Sequence, residues 1–194
     1  MKKIKSINDY KFNLKLGETM IRLFLALSIG LLAHAAQATV QATAQKVYKA
    51  KSKYVEAFYR DLHENPELSG KEFKTAKKMS KELRALGYKV TDNIGGTGVV
   101  AVLKNGKGPT IWLRADMDGL PITEETGKSY SSKTKGVMHG CGHDVHMASM
   151  IGYAHVLQQT KDKGKGTVVL LSQPAEEIIG GAEEMIKDGL YKRF

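Results

Sequence analysis

The run Thr167-Val-Val-Leu-Leu-Ser172 constrains the fold more than any other stretch of the chain. It is β-branched and aliphatic, uncharged, and bounded by turn residues. A strand with two apolar faces needs cover on both of them. The cover comes from segments with helical periodicity. Val47, Tyr54, Val55, Phe58 and Leu62 recur near helical spacing and predict a helix over Val40–His63, stopped by Asn65-Pro66. A second helix is expected over Glu72–Leu86, opened by Ser69 or Gly70 and ended by Gly87. Val145–Leu157 reads as a buried helix, with Met147, Met150, Ile151 and Ala154 on one face, and Ala182–Leu190 as a closing helix. Further strands are expected at Tyr88–Val90, Gly98–Leu103 and Thr110–Arg114. Gly95-Gly96 is a turn between the first two, and Asn105–Pro109 a hairpin-like turn before the third. Residues 122–136 read as a polar surface loop. Helices alternating with apolar strands imply a layered α/β domain.

The 194 residues are enough for one domain with a real core, and 42% hydrophobic with 26% charged residues describes a globular chain. The net charge of +10 invites a nucleic-acid reading, but its distribution argues against one. In the first 38 positions six basic residues against Asp9 and Glu18 leave +4, and the remainder is scattered in pairs such as Lys77/Lys78. No basic run is interleaved with aromatics, so no nucleic-acid partner is expected. Residues 1–38 are read instead as an export signal. A long basic segment precedes an apolar core over Leu23–Ala33, and Ala36-Gln-Ala38 is the small-x-small pattern of a cleavage site. The apolar core is short for a membrane span, which takes about 20 residues. The expected division is therefore a signal over 1–38, with an uncleaved N-terminal anchor as the alternative, and a catalytic region over 39–194. Met20 is an alternative start.

The chain's one cysteine and three of its six histidines lie in Gly136-Val-Met-His-Gly-Cys-Gly-His-Asp-Val-His146. Thiolate and imidazole are good donors to borderline-soft metals such as zinc. The glycines let the backbone turn tightly enough to aim Cys141 and His143 at one point. Two acidic pairs, Asp116/Asp118 and Glu176/Glu177, each follow an expected strand. Ligands in open α/β sheets gather at such strand ends. Adjacent like charges are costly without a cation. One carboxylate of such a pair can bind a metal while its neighbour takes a proton from water. Acidic residues after strands also cap helices or face solvent, and each pair alone would carry little.

Four segments in series then resemble a known family: Arg60-Asp-Leu-His-Glu-Asn-Pro-Glu-Leu-Ser69, Leu113-Arg-Ala-Asp-Met-Asp-Gly-Leu-Pro121, Gly136–Asp144 and Gln173-Pro-Ala-Glu-Glu177. They are similar to the metal-dependent amidohydrolases that include hippurate hydrolase, N-acyl-amino-acid amidohydrolases and auxin-conjugate hydrolases, within the aminoacylase and carboxypeptidase G2 superfamily. The resemblance implies a zinc-peptidase-like α/β/α catalytic domain interrupted by a smaller lid or dimerisation domain. It implies two divalent metal ions, zinc or manganese, and hydrolysis of N-acyl amino acids or peptide-like conjugates; relatives of this kind are expected to be homo-oligomers. Carried over by position, Cys141, His143 and Glu177 are metal ligands, with Cys141 a candidate bridge, and Glu176 is the general base. Asp116 and Asp118 stand where related peptidases have a His-x-Asp pair, and are expected to orient the ligands. His139 is expected to orient the turn, and His146 to cap or pack against its helix.

Members of that group continue through a lid domain and further histidine ligands. The sequence is thus expected to be their N-terminal part, incomplete as a catalyst and inactive alone. Two other function classes remain. One is an exported binding protein that keeps the fold, which has no use for a lone thiol beside two carboxylates. The other is a redox or nucleophilic Cys141, which lacks a second cysteine and has acidic surroundings that raise its pKa.

Overall fold

The computed structural model describes the backbone from residue 7 to residue 194, with side chains continuous from residue 37. The chain divides into two units, Met1–Ala42 and Thr43–Phe194. Within the first, the described backbone is helical and forms the opening stretch of α1 (Ile7–Glu64). The export signal expected over residues 1–38 falls in part on residues 1–6 and on side chains outside the described ones. Among the described residues no helix is long and apolar enough to cross a membrane.

The second unit is a mixed α/β fold. It holds the end of α1, then α2 (Phe73–Ala85), β1 (Lys89–Ile94), β2 (Gly98–Asn105), β3 (Thr110–Asp116), α3 (His143–Gln159), β4 (Gly166–Gln173), α4 (Gly181–Lys187) and α5 (Leu190–Arg193). The sheet order is β1-β2-β4-β3. β1 and β2 form an antiparallel hairpin, β2 pairs antiparallel with β4, and β3 pairs parallel with β4.

The strand expected to be covered on both faces is an inner one, β4. Its consecutive residues Val169 and Leu170 are 1% and 0% exposed and point to opposite sides. Leu170 joins Leu62 of α1, Met79 and Leu83 of α2, and Met147, Ile151 and Ala154 of α3. Val169 joins Ile94, Val100, Met185 of α4 and Leu190 of α5. Helices therefore flank the sheet on both sides, the α/β/α layering that the family resemblance implied. Burying each such side chain is worth about 1.5–3 kcal/mol relative to exposure.

Several local expectations are corrected. Asn105–Pro109 is not a hairpin, because β4 lies between β2 and β3 and takes the hydrogen bonds of both. Ser69 does not open α2; its hydroxyl donates to Asp118. The exposed backbone N–H groups of that helix end, Lys74 and Thr75, are accepted instead by the Glu67 carboxylate at 3.2 and 2.8 Å. α1 begins well upstream of Val40 but ends at Glu64, as the following Asn65-Pro66 requires. The closing helix is broken at Gly189, whose φ of 84° separates α4 from α5.

Candidate metal centre

β3 and β4 run parallel and finish together, with Asp116 paired in register with Gln173. The chain leaves both strands at the same edge of the sheet. Asp118 follows one strand and Glu176/Glu177 the other. α3 starts at His143 and packs over β3, which brings the Cys/His loop to the same edge. Gly142, at φ 79°, makes the left-handed turn that aims His143 inward. The loop is held by paired backbone bonds between Leu120 and Met138 at 2.8 and 3.0 Å.

His143 is the pivot. It is buried, and its Nδ1 lies 2.8 Å from the backbone carbonyl of Asp118 and 3.3 Å from the Asp118 side chain. A carbonyl only accepts, so Nδ1 carries a proton, and Nε2 is the ring nitrogen left to a metal, which must displace any proton held there. Nε2 faces Glu176 at 3.7 Å and Glu177 at 3.8 Å. Burial disfavours a charge on the ring, yet the Asp118 side chain and carbonyl, with Asp116 nearby, raise its pKa to about 9. Asp118 is held in the charged form in return: burial opposes this, but His143, Ser69 and the Glu177 N–H lower its pKa.

Cys141 stands beside Glu177. A hydrogen bond to that carboxylate, with partial desolvation and the charges of Glu176 and Asp118, pushes its thiol pKa up. The side chain is exposed. This disfavours a free thiolate nucleophile. It suits a thiol that loses its proton only to a metal.

The arrangement passes a test of fit for a divalent ion. His143, Glu176 and Glu177 each offer a donor atom, and these atoms lie within 4.8 Å of one another. Glu177 Oε1 is buried without a hydrogen-bond partner, as are one oxygen of Asp116 and one of Asp118. Asp116 is buried at the end of β3, with Arg114 3.1 Å from Oδ1 as an ion pair. A second triad, Asp116, His143 and His146, meets the same distance criterion. His146 is half-exposed, 3.6 Å from Asp116 and stacked on the His143 ring. Both triads draw on His143, and its Nε2 faces the glutamates, so the glutamate triad is the better metal site. The Cys141 thiol belongs to neither triad.

Of the residues singled out from the sequence, Cys141, His143, Glu176, Glu177, Asp116 and Asp118 thus share one edge of the sheet. His139 is buried there with neither ring nitrogen hydrogen-bonded, and burial lowers its pKa to about 4. His146, expected only to cap or pack, faces Asp116 instead. Its spacing from His143 was the available signal, because residues three apart share a helix face. Three supporting residues were given no role at the site from the sequence: Ser69 on Asp118 and His63, both inside the first family-like segment, and Glu72 on the turn before Glu176, which lies outside all four segments. His63 lies 2.6 Å from Asp144 and 3.2 Å from Glu124.

The family described as Peptidase family M20/M25/M40 matches residues 112–194. Thermostable carboxypeptidase 2 of Saccharolobus solfataricus is 47% identical over 135 residues, covering 68% of this chain and 34% of that protein. Hippurate hydrolase of Campylobacter jejuni is 47% identical over 140 residues, covering 72% and 36%. Among solved structures, a dinuclear metal-binding M20 peptidase from Bacillus subtilis superposes with a TM-score of 0.70 at 44% identity, covering 73% of this chain and 40% of that one. The chain therefore spans about a third of the length of the curated relatives it matches.

Proposed function

Residues 112–194 carry a domain of peptidase family M20/M25/M40, and on that premise we propose that the chain forms the metal-binding and proton-transfer side of a hydrolase. Its substrates are N-acyl amino acids or related peptide-like conjugates, cleaved at the amide bond. The observation that carries the reading is the Nε2 nitrogen of His143, turned toward Glu176 and Glu177 at 3.7 and 3.8 Å while Nδ1 is held by Asp118. Relatives named hippurate hydrolase and N-acetyl-L-cysteine deacetylase support the substrate class, since both names describe an acyl group on an amino acid.

In this reading His143 Nε2 and Glu177 would hold divalent metal, zinc or manganese, with two ions at the full centre; Cys141, whose thiol lies outside both donor triads, would join them as a ligand, and Glu176 would stay unbound. The thiolate favours zinc on grounds of softness. Divalent metal, when bound, supplies Lewis acidity that acidifies water and polarises an amide carbonyl. The remaining work falls to the chain. Glu176 is the more exposed of the two glutamates, at 40% against 18% for Glu177. Facing the open side, it takes the proton from water and delivers it to the departing amine. Asp118 fixes the His143 ring by its carbonyl and the Glu177 backbone by its carboxylate. We also propose that residues 1–38 direct export.

The test is metal binding by the purified chain, with hydrolysis of N-benzoylglycine and N-acetylcysteine assayed on the protein containing this segment. Cys141→Ala and Glu177→Ala are expected to lose metal. Glu176→Gln is expected to keep metal and abolish hydrolysis. Loss of metal from Glu176→Gln to the same degree as from Glu177→Ala would exchange the two roles. No metal binding by the parent chain would remove the reading.

A further inference from the structure

Glu72 is fully buried, at 0% exposure, and is far in sequence from every residue of the candidate centre. It occupies the N-cap position of α2 yet makes no capping bond with its side chain, because Glu67 accepts those N–H groups instead. Its carboxylate turns inward. Oε1 accepts the backbone N–H of Gly70 at 2.9 Å and that of Ala175 at 2.8 Å, and Oε2 accepts the Thr97 hydroxyl at 2.6 Å. Three donors converge on one acceptor-only group, so every bond depends on the carboxylate.

Ala175 is the start of the turn that carries Glu176 and Glu177. Its φ is 51°, a left-handed conformation that a residue with a Cβ adopts only when its surroundings impose it. Two residues on, the Glu177 N–H donates to Asp118 Oδ2 at 2.9 Å. Alternate N–H groups of the turn are therefore held by two buried acids, one on each side of Glu176. The Asp118 anchor follows β3, beside the metal ligands. The Glu72 anchor comes from the helix layer, and it also ties the turn to Thr97 at the head of β2.

We infer that Glu72 is a positioning residue for this centre: its carboxylate holds Ala175 in the left-handed turn, and so fixes the direction in which Glu176 and Glu177 leave β4. The consequence for metal rests on the proposed function, while the hold on the turn does not. A carboxylate that only filled the core would affect stability and leave the turn's own fluctuations unchanged.

The experiment uses the 194-residue chain in two states. In the metal-free protein, amide hydrogen exchange is followed for Ala175–Gly181 in the parent, Glu72→Ala and Glu72→Gln. Glu72→Ala is expected to speed exchange there by about 10- to 100-fold, the equilibrium worth of a hydrogen bond to a charged group. Protection in α2 and β4 should persist. Glu72→Gln should stay near the parent, because its carbonyl can take both N–H groups while its amide donates to the Thr97 oxygen. Cobalt(II) is then titrated into each protein, with the thiolate-to-cobalt absorption of Cys141 as readout. Glu72→Ala is expected to bind about 10- to 100-fold more weakly, as loss of a group that supports ligands does.

Unchanged exchange at Ala175–Glu177 in folded Glu72→Ala would overturn the inference. Faster exchange in a chain whose parent form binds no cobalt would leave Glu72 as the anchor of the turn and reject the metal reading. Should Glu72→Ala not fold, Glu72→Asp decides. It keeps the acid but draws the carboxylate back by one methylene, out of reach of the Ala175 N–H, so the turn should exchange faster than in the parent, and exchange equal to the parent would count against the inference.

Discussion

Asp118 and Glu177 lie on different strand ends, 59 residues apart in sequence, and the carboxylate of the first accepts the backbone N–H of the second at 2.9 Å. The same aspartate offers its own carbonyl to His143 at 2.8 Å. One residue thus sets the positions of two candidate ligands that approach from opposite directions. Ser69 completes the arrangement with a 2.7 Å bond to Asp118 Oδ2.

Asp118→Asn should therefore weaken metal binding by about 10- to 100-fold with the fold intact. The amide keeps the shape but loses the charge that supports His143. Ser69→Ala removes one hydrogen bond and should cost about 1 kcal/mol of stability. Calorimetric metal titration and thermal unfolding check the two. Equal metal affinity in Asp118→Asn and parent would show that the aspartate does not support the ligands.

His63 joins α1 to the first turn of α3, with Nδ1 2.6 Å from Asp144 and Nε2 3.2 Å from Glu124. Burial alone would lower its pKa, but the two carboxylates raise it. A group whose folded pKa is raised gives stability that is complete below its unfolded value, about 6.5, and lost as pH rises through the folded value. Unfolding by urea as a function of pH should show a steeper decline in the parent than in His63→Gln, where the contribution of His143 remains. A parallel pH profile in the two proteins would contradict it.

Gly181 closes the turn that begins at Ala175. A Cβ there would lie 1.7 Å from the Pro174 carbonyl oxygen. Gly181→Ala should displace the turn and destabilise the protein by about 1–3 kcal/mol, in the range of overpacking. Unchanged thermal unfolding would mean that the turn is open.

The two-sided cover of β4 predicts that neighbouring residues of one strand are both core. Leu170→Ala should cost about 2–5 kcal/mol. Val169→Ala should also be clearly destabilising, by more than the roughly 0.5 kcal/mol of a surface change. A neutral Val169→Ala would remove the layer built by α4 and α5.

Much of this was legible in the sequence because it depends on local pattern. The apolar run of β4, the spacing of Met147, Met150, Ile151 and Ala154 in α3, and the carboxylates after two strands all declare themselves within a few residues. What could not be read depends on long-range pairing. Asn105–Pro109 has the composition of a hairpin turn, and nothing nearby reveals that β4 will enter between its flanking strands. Glu72 looks like any acidic residue at a helix start. Only the folded chain brings it to Ala175, 103 residues away. His146 was underrated because a histidine on a helix usually packs, and its partner Asp116 lies on another element. Gly189 falls inside a helical pattern, and its left-handed φ is set by how α5 turns back onto the sheet.

The central claim is that sulfur, imidazole and carboxylate from separate loops meet at one divalent ion. X-ray absorption on the zinc-loaded chain tests it most directly. The account predicts one sulfur scatterer at about 2.3 Å with nitrogen and oxygen at about 2.0–2.2 Å, and loss of the sulfur shell in Cys141→Ser. A bound zinc surrounded by nitrogen and oxygen alone in the parent chain would contradict it.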